Sequence, residues 1–171
     1  MGLFSRSRFA AVRGGSYAVR LDPQERALLT TLPDQLESLL VADGPEGAEA
    51  APGLIRLFPP AYLHEHELDA EYQRLMRDEL IRRRLEAVAT VRDSLTATRL
   101  TPEQLHAWAR VLNDVRLVLG TLLDVSEDTD ILHGVDPDAA DAPLRVAYVV
   151  LSSIVDDAVQ ALSAALPPGE G

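Results

Sequence analysis

Thr101-Pro102-Glu103-Gln104-Leu105-His106-Ala107-Trp108-Ala109-Arg110-Val111-Leu112-Asn113-Asp114-Val115-Arg116-Leu117-Val118-Leu119-Gly120-Thr121-Leu122 is the stretch that decides the fold class. Leu105, Trp108, Leu112, Val115, Leu119 and Leu122 recur at alternating steps of three and four, which places them on one side of an α-helix. Thr101 with Gln104 three residues later forms a capping box. Pro102 falls in the first turn, where its missing N–H would have had no partner anyway. The spacing predicts a helix over 101–123. The same rhythm returns in Leu144, Tyr148, Leu151, Val155, Ala158 and Leu162, predicting a helix over 142–165 closed by Pro167-Pro168-Gly169.

Towards the N-terminus, a longer helix is predicted over 67–97. Leu68, Tyr72, Leu75, Met76 and Leu80 share a side of its first half, whereas Leu85, Val88, Val91 and Leu95 lie further round. A bend or a change of packing partner is therefore expected near Asp78–Arg84. Asp22-Pro23-Gln24-Glu25 opens another helix, over 22–41, with Leu28, Leu29, Leu32, Leu36, Leu39 and Leu40 as its apolar stripe. Pro33 is expected to kink or split it. Residues 42–53, rich in glycine, proline, alanine and glutamate, read as an exposed linker. Leu54-Ile55-Arg56-Leu57-Phe58-Pro59-Pro60 reads as one docked turn followed by an extended segment. Over 8–21, two short strands flank Gly14-Gly15, which suits a two-residue type I′ hairpin. In that register Val12 faces Tyr17 and Ala10 faces Val19, giving an apolar face of Ala10, Val12, Tyr17, Val19 and Leu21. The expectation is a mainly α fold, a helical bundle with an N-terminal β-hairpin, in a single domain over 1–171. A lone hairpin is marginal in water, so it should lie on the helices or pair with a second copy.

All 16 basic side chains are arginine, set against 27 acidic ones, and the chain has neither lysine nor cysteine. Lysine Schiff bases, P-loop lysines, thiol nucleophiles, disulfides, cysteine zinc sites and iron–sulfur clusters are thereby excluded. The net charge of −11 disfavours unaided binding to duplex DNA, which needs a basic face to neutralise phosphates. The charge is polarised: residues 1–21 hold four arginines and no acid, whereas residues 124–171 hold ten acids and one arginine. Such polarity favours protein partners or self-association. No uninterrupted apolar run approaches the ~18 residues that mark a membrane span, and Met1–Arg13 has no long apolar core. No membrane role and a cytoplasmic location are expected.

Little in the sequence suggests catalysis, and no catalytic residue, cofactor or metal site is assigned. His64-Glu65-His66 comes nearest to a metal motif, but alternate residues on a helix diverge, so it reads as a solvated segment before the helix. The acids of Asp124–Asp141 lack the spacing and glycine of a calcium loop. No Gly-x-Ser-x-Gly elbow and no glycine-rich phosphate loop occur. Asp156 and Asp157 are neighbours that diverge on a helix. Arg82, Arg83 and Arg84 fan around the long helix and could meet an acidic partner, although ion pairing with Asp78, Glu79 or Glu86 accounts for them more simply. Arg116 flanks the apolar stripe of 101–123. Its burial would demand a carboxylate or carbonyl, expected from another helix.

The run Arg110–Val125, with its Asn113-Asp114-x-Arg116-Leu117-x-Leu119-Gly120 string, resembles an actinobacterial domain-of-unknown-function family that includes the AosR-like oxidative-stress transcriptional regulators. Arg56-Leu57-Phe58-Pro59-Pro60-Ala61-Tyr62 and Glu71-Tyr72-Gln73-Arg74-Leu75-Met76-Arg77-Asp78-Glu79-Leu80 resemble it as well. The resemblance implies a non-enzymatic regulator that binds transcription machinery, RNA polymerase or a sigma factor, with a homodimer as one arrangement. It also leaves room for DNA binding through the basic N-terminal end and for a Clp-proteolysis-linked adaptor, because genes of this family tend to lie near that of ClpS. Candidate contact or ion-pairing residues are Arg82, Arg83, Arg84, Asn113, Asp114 and Arg116. Without cysteine, any thiol switch is impossible here.

Overall fold

Residues 7–42, 52–62, 64–126, 131 and 137–165 are described in a computed structural model of the chain. Residues 127–130 and 132–136, most of the expected linker and the expected Pro167-Pro168-Gly169 stop lie outside them. The elements are strands β1 (Phe9–Val12) and β2 (Ser16–Val19), helix α1 (Pro23–Ala42), a 3₁₀ segment (Pro52–Leu57), helix α2 (His66–Ser94), strand β3 (Arg99–Leu100) and helices α3 (Pro102–Leu122) and α4 (Ala142–Ala164). The fold is mainly helical with an N-terminal antiparallel hairpin.

α3 is the axis. Its capping box forms as its sequence requires: Thr101 Oγ1 accepts from Gln104 N at 3.2 Å, and Thr101 N donates to Gln104 Oε1 at 2.9 Å. Leu105, Trp108, Val111, Leu112, Val115, Val118 and Leu119 are all buried. They pack against α4, the 3₁₀ segment, α2, α1 and the sheet. Leu122, the last residue of the predicted stripe, is exposed. The Trp108 ring meets Phe9 edge-on, with centroids 6.2 Å apart and planes at 78°. Its Nε1–H donates to Ser94 Oγ at 2.8 Å, and Ser94 Oγ in turn donates to Thr90 O at 2.7 Å. Burial of the indole N–H is thus compensated.

The hairpin differs from its expected register. Phe9 pairs with Val19, Ala11 with Tyr17 and Val12 with Ser16, so Arg13, Gly14 and Gly15 make a three-residue loop. Both glycines adopt positive φ, 92° and 75°. A shift of one residue exchanges the faces of a strand. Here it turns Phe9 inward onto Trp108, leaving Ala10 and Val12 on the other side. Phe9 offers far more apolar area than Ala10, which favours this register. The hairpin does lie on the helices. β2 gains a third strand, with Tyr17 opposite Leu100 and Ala18 opposite Arg99. That strand, residues 99–100, follows the predicted 67–97 helix, which ends three residues early at Ser94. Thr101, ahead of Pro102, is held extended.

Arg8 fastens the hairpin to two helices. Its Nε contacts Glu25 Oε1 of α1 at 2.6 Å and its Nη1 contacts Asp157 Oδ2 of α4 at 2.8 Å. Partial burial works against its charge, but the Asp157 and Glu25 carboxylates outweigh that and raise its pKa. Asp22 caps α1, accepting from Gln24 N and Glu25 N, each at 2.8 Å. Pro33 is buried inside α1, which continues as one helix rather than two. Arg92 of α2 reaches back to Asp34 and Glu37 of α1. In α2 the buried residues are Ala87, Val88, Val91 and Ser94, all in its second half, whereas Leu68 and Leu75 are exposed. The apolar stripe expected over the first half of α2 is therefore not a buried face, and packing begins in the second half.

α4 is long and apolar enough to cross a membrane by length and composition, with a window of mean hydropathy 1.4, of which 22% is buried. The expectation of no span rested on uninterrupted runs, which this helix lacks. Leu151, Ile154, Val155 and Ala158 carry its packing on α3.

Ser94→Ala removes the acceptor of the buried indole N–H and is expected to cost about 1–3 kcal/mol. Urea unfolding followed by Trp108 fluorescence measures this, and an unchanged midpoint refutes the role given to Ser94.

Candidate functional site

The six candidate residues separate into three environments. Arg82 and Arg83 sit on the exposed side of α2, where they pair with Glu79 and, for Arg82, also with Glu86. Hydrogen bonds from Arg82 and Arg83 hold the Glu79 carboxyl below its ordinary pKa. The simple ion-pair reading of these two arginines holds.

Arg84, next along, points inward. Its Nη2 donates to Leu57 O at 2.8 Å, its guanidinium lies 5.0 Å from the centroid of the Phe58 ring, and its Nε lies 3.2 Å from Asp114 Oδ2. Phe58 is also approached by Arg77, at 4.6 Å. Asp114 is 5% exposed on α3, so this pair joins α2, α3 and the 3₁₀ segment inside the protein. The Arg84 Nε to Asp114 Oδ2 contact lacks hydrogen-bond geometry. Burial pushes the Asp114 carboxyl above its ordinary pKa, although Arg84 and then Arg110 pull the other way. Desolvation wins because an ion pair without a well-directed hydrogen bond recovers only part of the lost hydration.

Asn113 and Arg116 lie on the side of α3 that meets α4. The expected partner of Arg116 from another helix is not found: Arg116 Nη2 donates to Asn113 Oδ1, one turn back on α3, at 2.7 Å. Asn113, Arg116 and Ala109 line a cleft of about 580 Å³, closed on the α4 side by Val155, Asp156, Val159 and Gln160. Asp156 and Asp157 diverge as helical neighbours must. Asp157 serves Arg8, whereas Asp156 stands on the cleft. Among the described residues, neither Arg116 nor Asp156 forms an ion pair, with each other or elsewhere. Sequence reading missed Asp156 and Gln160 as companions of Arg116, because it gave no antiparallel register for α3 against α4.

Further along the same side of α3, Gly120 allows close approach. A Cβ there would lie 3.2 Å from both Arg56 Nη1 and Tyr148 Cε2. Arg56 also donates to Val125 O at 2.9 Å, fastening the 3₁₀ segment to the end of α3. His64 and His66 are exposed, and no group of three or more metal-ligating side chains comes together among the described residues.

A family model, described as a domain of unknown function, DUF2017, matches residues 6–162. The chain belongs to the DUF2017 family. No curated protein and no solved structure matches it significantly. The matched region takes in all the strands and the 3₁₀ segment, α1 to α3, and all but the last residues of α4. The buried pair and the cleft therefore both lie within the DUF2017 domain.

Two outcomes follow from the Arg84–Asp114 pair. Arg84→Met strands a buried carboxylate and is expected to cost about 3–5 kcal/mol at neutral pH in denaturant unfolding. A carboxyl whose folded pKa is raised binds more protons folded than unfolded, so its contribution to stability falls as pH rises from the ordinary 3.8 through the folded value. Asp114→Asn should remove that component. Wild type should lose stability relative to this variant as pH rises through that window, and parallel stability–pH curves would show that Asp114 titrates normally.

Proposed function

We propose that this DUF2017 protein is a non-enzymatic regulatory protein, akin to the AosR-like oxidative-stress transcriptional regulators, which binds transcription machinery: RNA polymerase or a sigma factor. The observation that carries this reading is the exposed apolar surface at the start of α4. Leu144 and Val146 are exposed there, at 41% and 55%. A helix this apolar with so much of its surface in water is the pattern of a protein-binding face. Leu28, Ala147 and Val150 extend the apolar area beside Val146 into a groove between α1 and α4, edged by Asp22 and Gln24. The Arg110–Val125 run that resembles the regulators belongs to α3, directly under α4.

The basic N-terminal end supports DNA binding less well. Of its described arginines, Arg8 is already held by two carboxylates, leaving Arg13 and Arg20 exposed on the hairpin side. With no cysteine in the chain, an oxidative signal reaches this protein through a partner or a ligand.

Native pull-downs should compare wild type with Leu144→Asp/Val146→Asp, a pair of exposed positions away from the Arg116 cleft. Wild type is expected to recover an RNA polymerase or sigma subunit, and the variant at least about tenfold less, with an unchanged circular dichroism spectrum. Recovery of neither subunit, with or without oxidant, overturns the proposal.

A further inference from the structure

The cleft between α3 and α4 holds one guanidinium and one carboxylate that do not neutralise each other. Arg116 is half-buried and spends one N–H on Asn113 Oδ1. A guanidinium has five N–H donors in a fixed fork, so this bond orients the group and leaves others for a ligand. Asp156 stands on the exposed rim across from it, and Gln160 adds an amide that can donate and accept. Between these polar groups Ala109, Val155 and Val159 give the cleft apolar walls.

Opposite charges set in one cleft, without contact between them, suit a molecule that carries both charges itself. We infer that the cleft binds a free α-amino acid with an aliphatic side chain. The ligand's carboxylate takes the Arg116 fork, its ammonium faces Asp156, and its side chain lies on Val155, Val159 and Ala109. Each charge of such a ligand gains a partner, and each unpaired charge of the cleft is satisfied at the same time. A plain carboxylate or a phosphate would meet Arg116 but bring like charge towards Asp156. A simple amine would do the reverse. A volume of about 580 Å³ leaves room for a branched side chain, whose apolar burial adds affinity that glycine cannot supply. Neither Leu144 nor Val146 lines this cleft, so either assignment can fail without the other.

Isothermal titration calorimetry on the full chain tests the assignment with leucine, leucine amide and isocaproate. Leucine amide lacks the carboxylate, and isocaproate lacks the ammonium. Leucine is expected to bind saturably, and each analogue at least about tenfold more weakly. Arg116→Gln should lose leucine binding. Asp156→Asn, on the exposed rim and so harmless to folding, should weaken leucine while strengthening isocaproate. That crossing of preferences is one that mere loss of structure cannot produce. The assignment is overturned if none of the aliphatic amino acids leucine, isoleucine and valine binds saturably. It is overturned equally if leucine and its two analogues bind alike, or if Asp156→Asn leaves their order of preference unchanged.

Discussion

The position of Trp108 is the constraint from which the rest of the structure follows. It sits 1% exposed in the middle of α3, and each of its features commits a different part of the chain. The indole N–H requires an acceptor, and Ser94 supplies it from the end of α2. The ring edge requires an aromatic or aliphatic neighbour, and Phe9 supplies it from β1. A one-residue slip of the hairpin would therefore take Phe9 off the indole, and a different ending of α2 would strand the N–H. In a chain with 5% aromatic residues, one large ring serves as the organising contact and aliphatic side chains fill around it.

Arginine does the joining between elements. Arg8 ties β1 to α1 and α4, Arg92 ties α2 to α1, Arg26 donates to Leu95 O at the end of α2, and Arg84 ties α2 to α3 and the 3₁₀ segment. A planar fork with several donors can meet a carboxylate and a carbonyl together, which a lysine ammonium does less specifically. The joins differ in cost. Arg92 works near the surface, where the ions keep much of their hydration. Arg84 and Asp114 are largely withdrawn from water and recover that loss incompletely, so this pair is better understood as fixing which elements meet than as a large source of stability. Arg116 stands apart from all of these, a half-buried guanidinium whose protein partner is a neutral amide.

Much of the helical framework was legible in the residues. The capping box at Thr101–Gln104, the cap at Asp22 and the period of the α3 and α4 stripes are local signals, and each element begins where they place it. The Arg82 and Arg83 pairs were legible for the same reason, since spacing along one helix settles them. Legibility ended wherever a residue's partner came from another element. Nothing local distinguishes Arg84 from its two neighbours; only the arrival of Asp114 and Leu57 does. Arg116 shows the opposite error, an expected partner on another helix where an amide one turn away sufficed. β3, only two residues long, has no period to detect, and its pairing exists because β2 lies alongside.

The sequence by itself determined the fold class, the helix starts, the absence of thiol chemistry and, through the match over residues 6–162, membership of the DUF2017 family. Tertiary structure alone decided the hairpin register, the third strand, the burial of Arg84 with Asp114 and the placing of Arg116 and Asp156 on one α3–α4 cleft. The division has a physical cause. Periodicity and capping are governed by interactions within about one helical turn, so they are written in neighbouring residues. Register, burial and charge pairing depend on which surfaces compete for the same apolar area and the same hydrogen-bonding groups, and that competition is settled only when the elements pack.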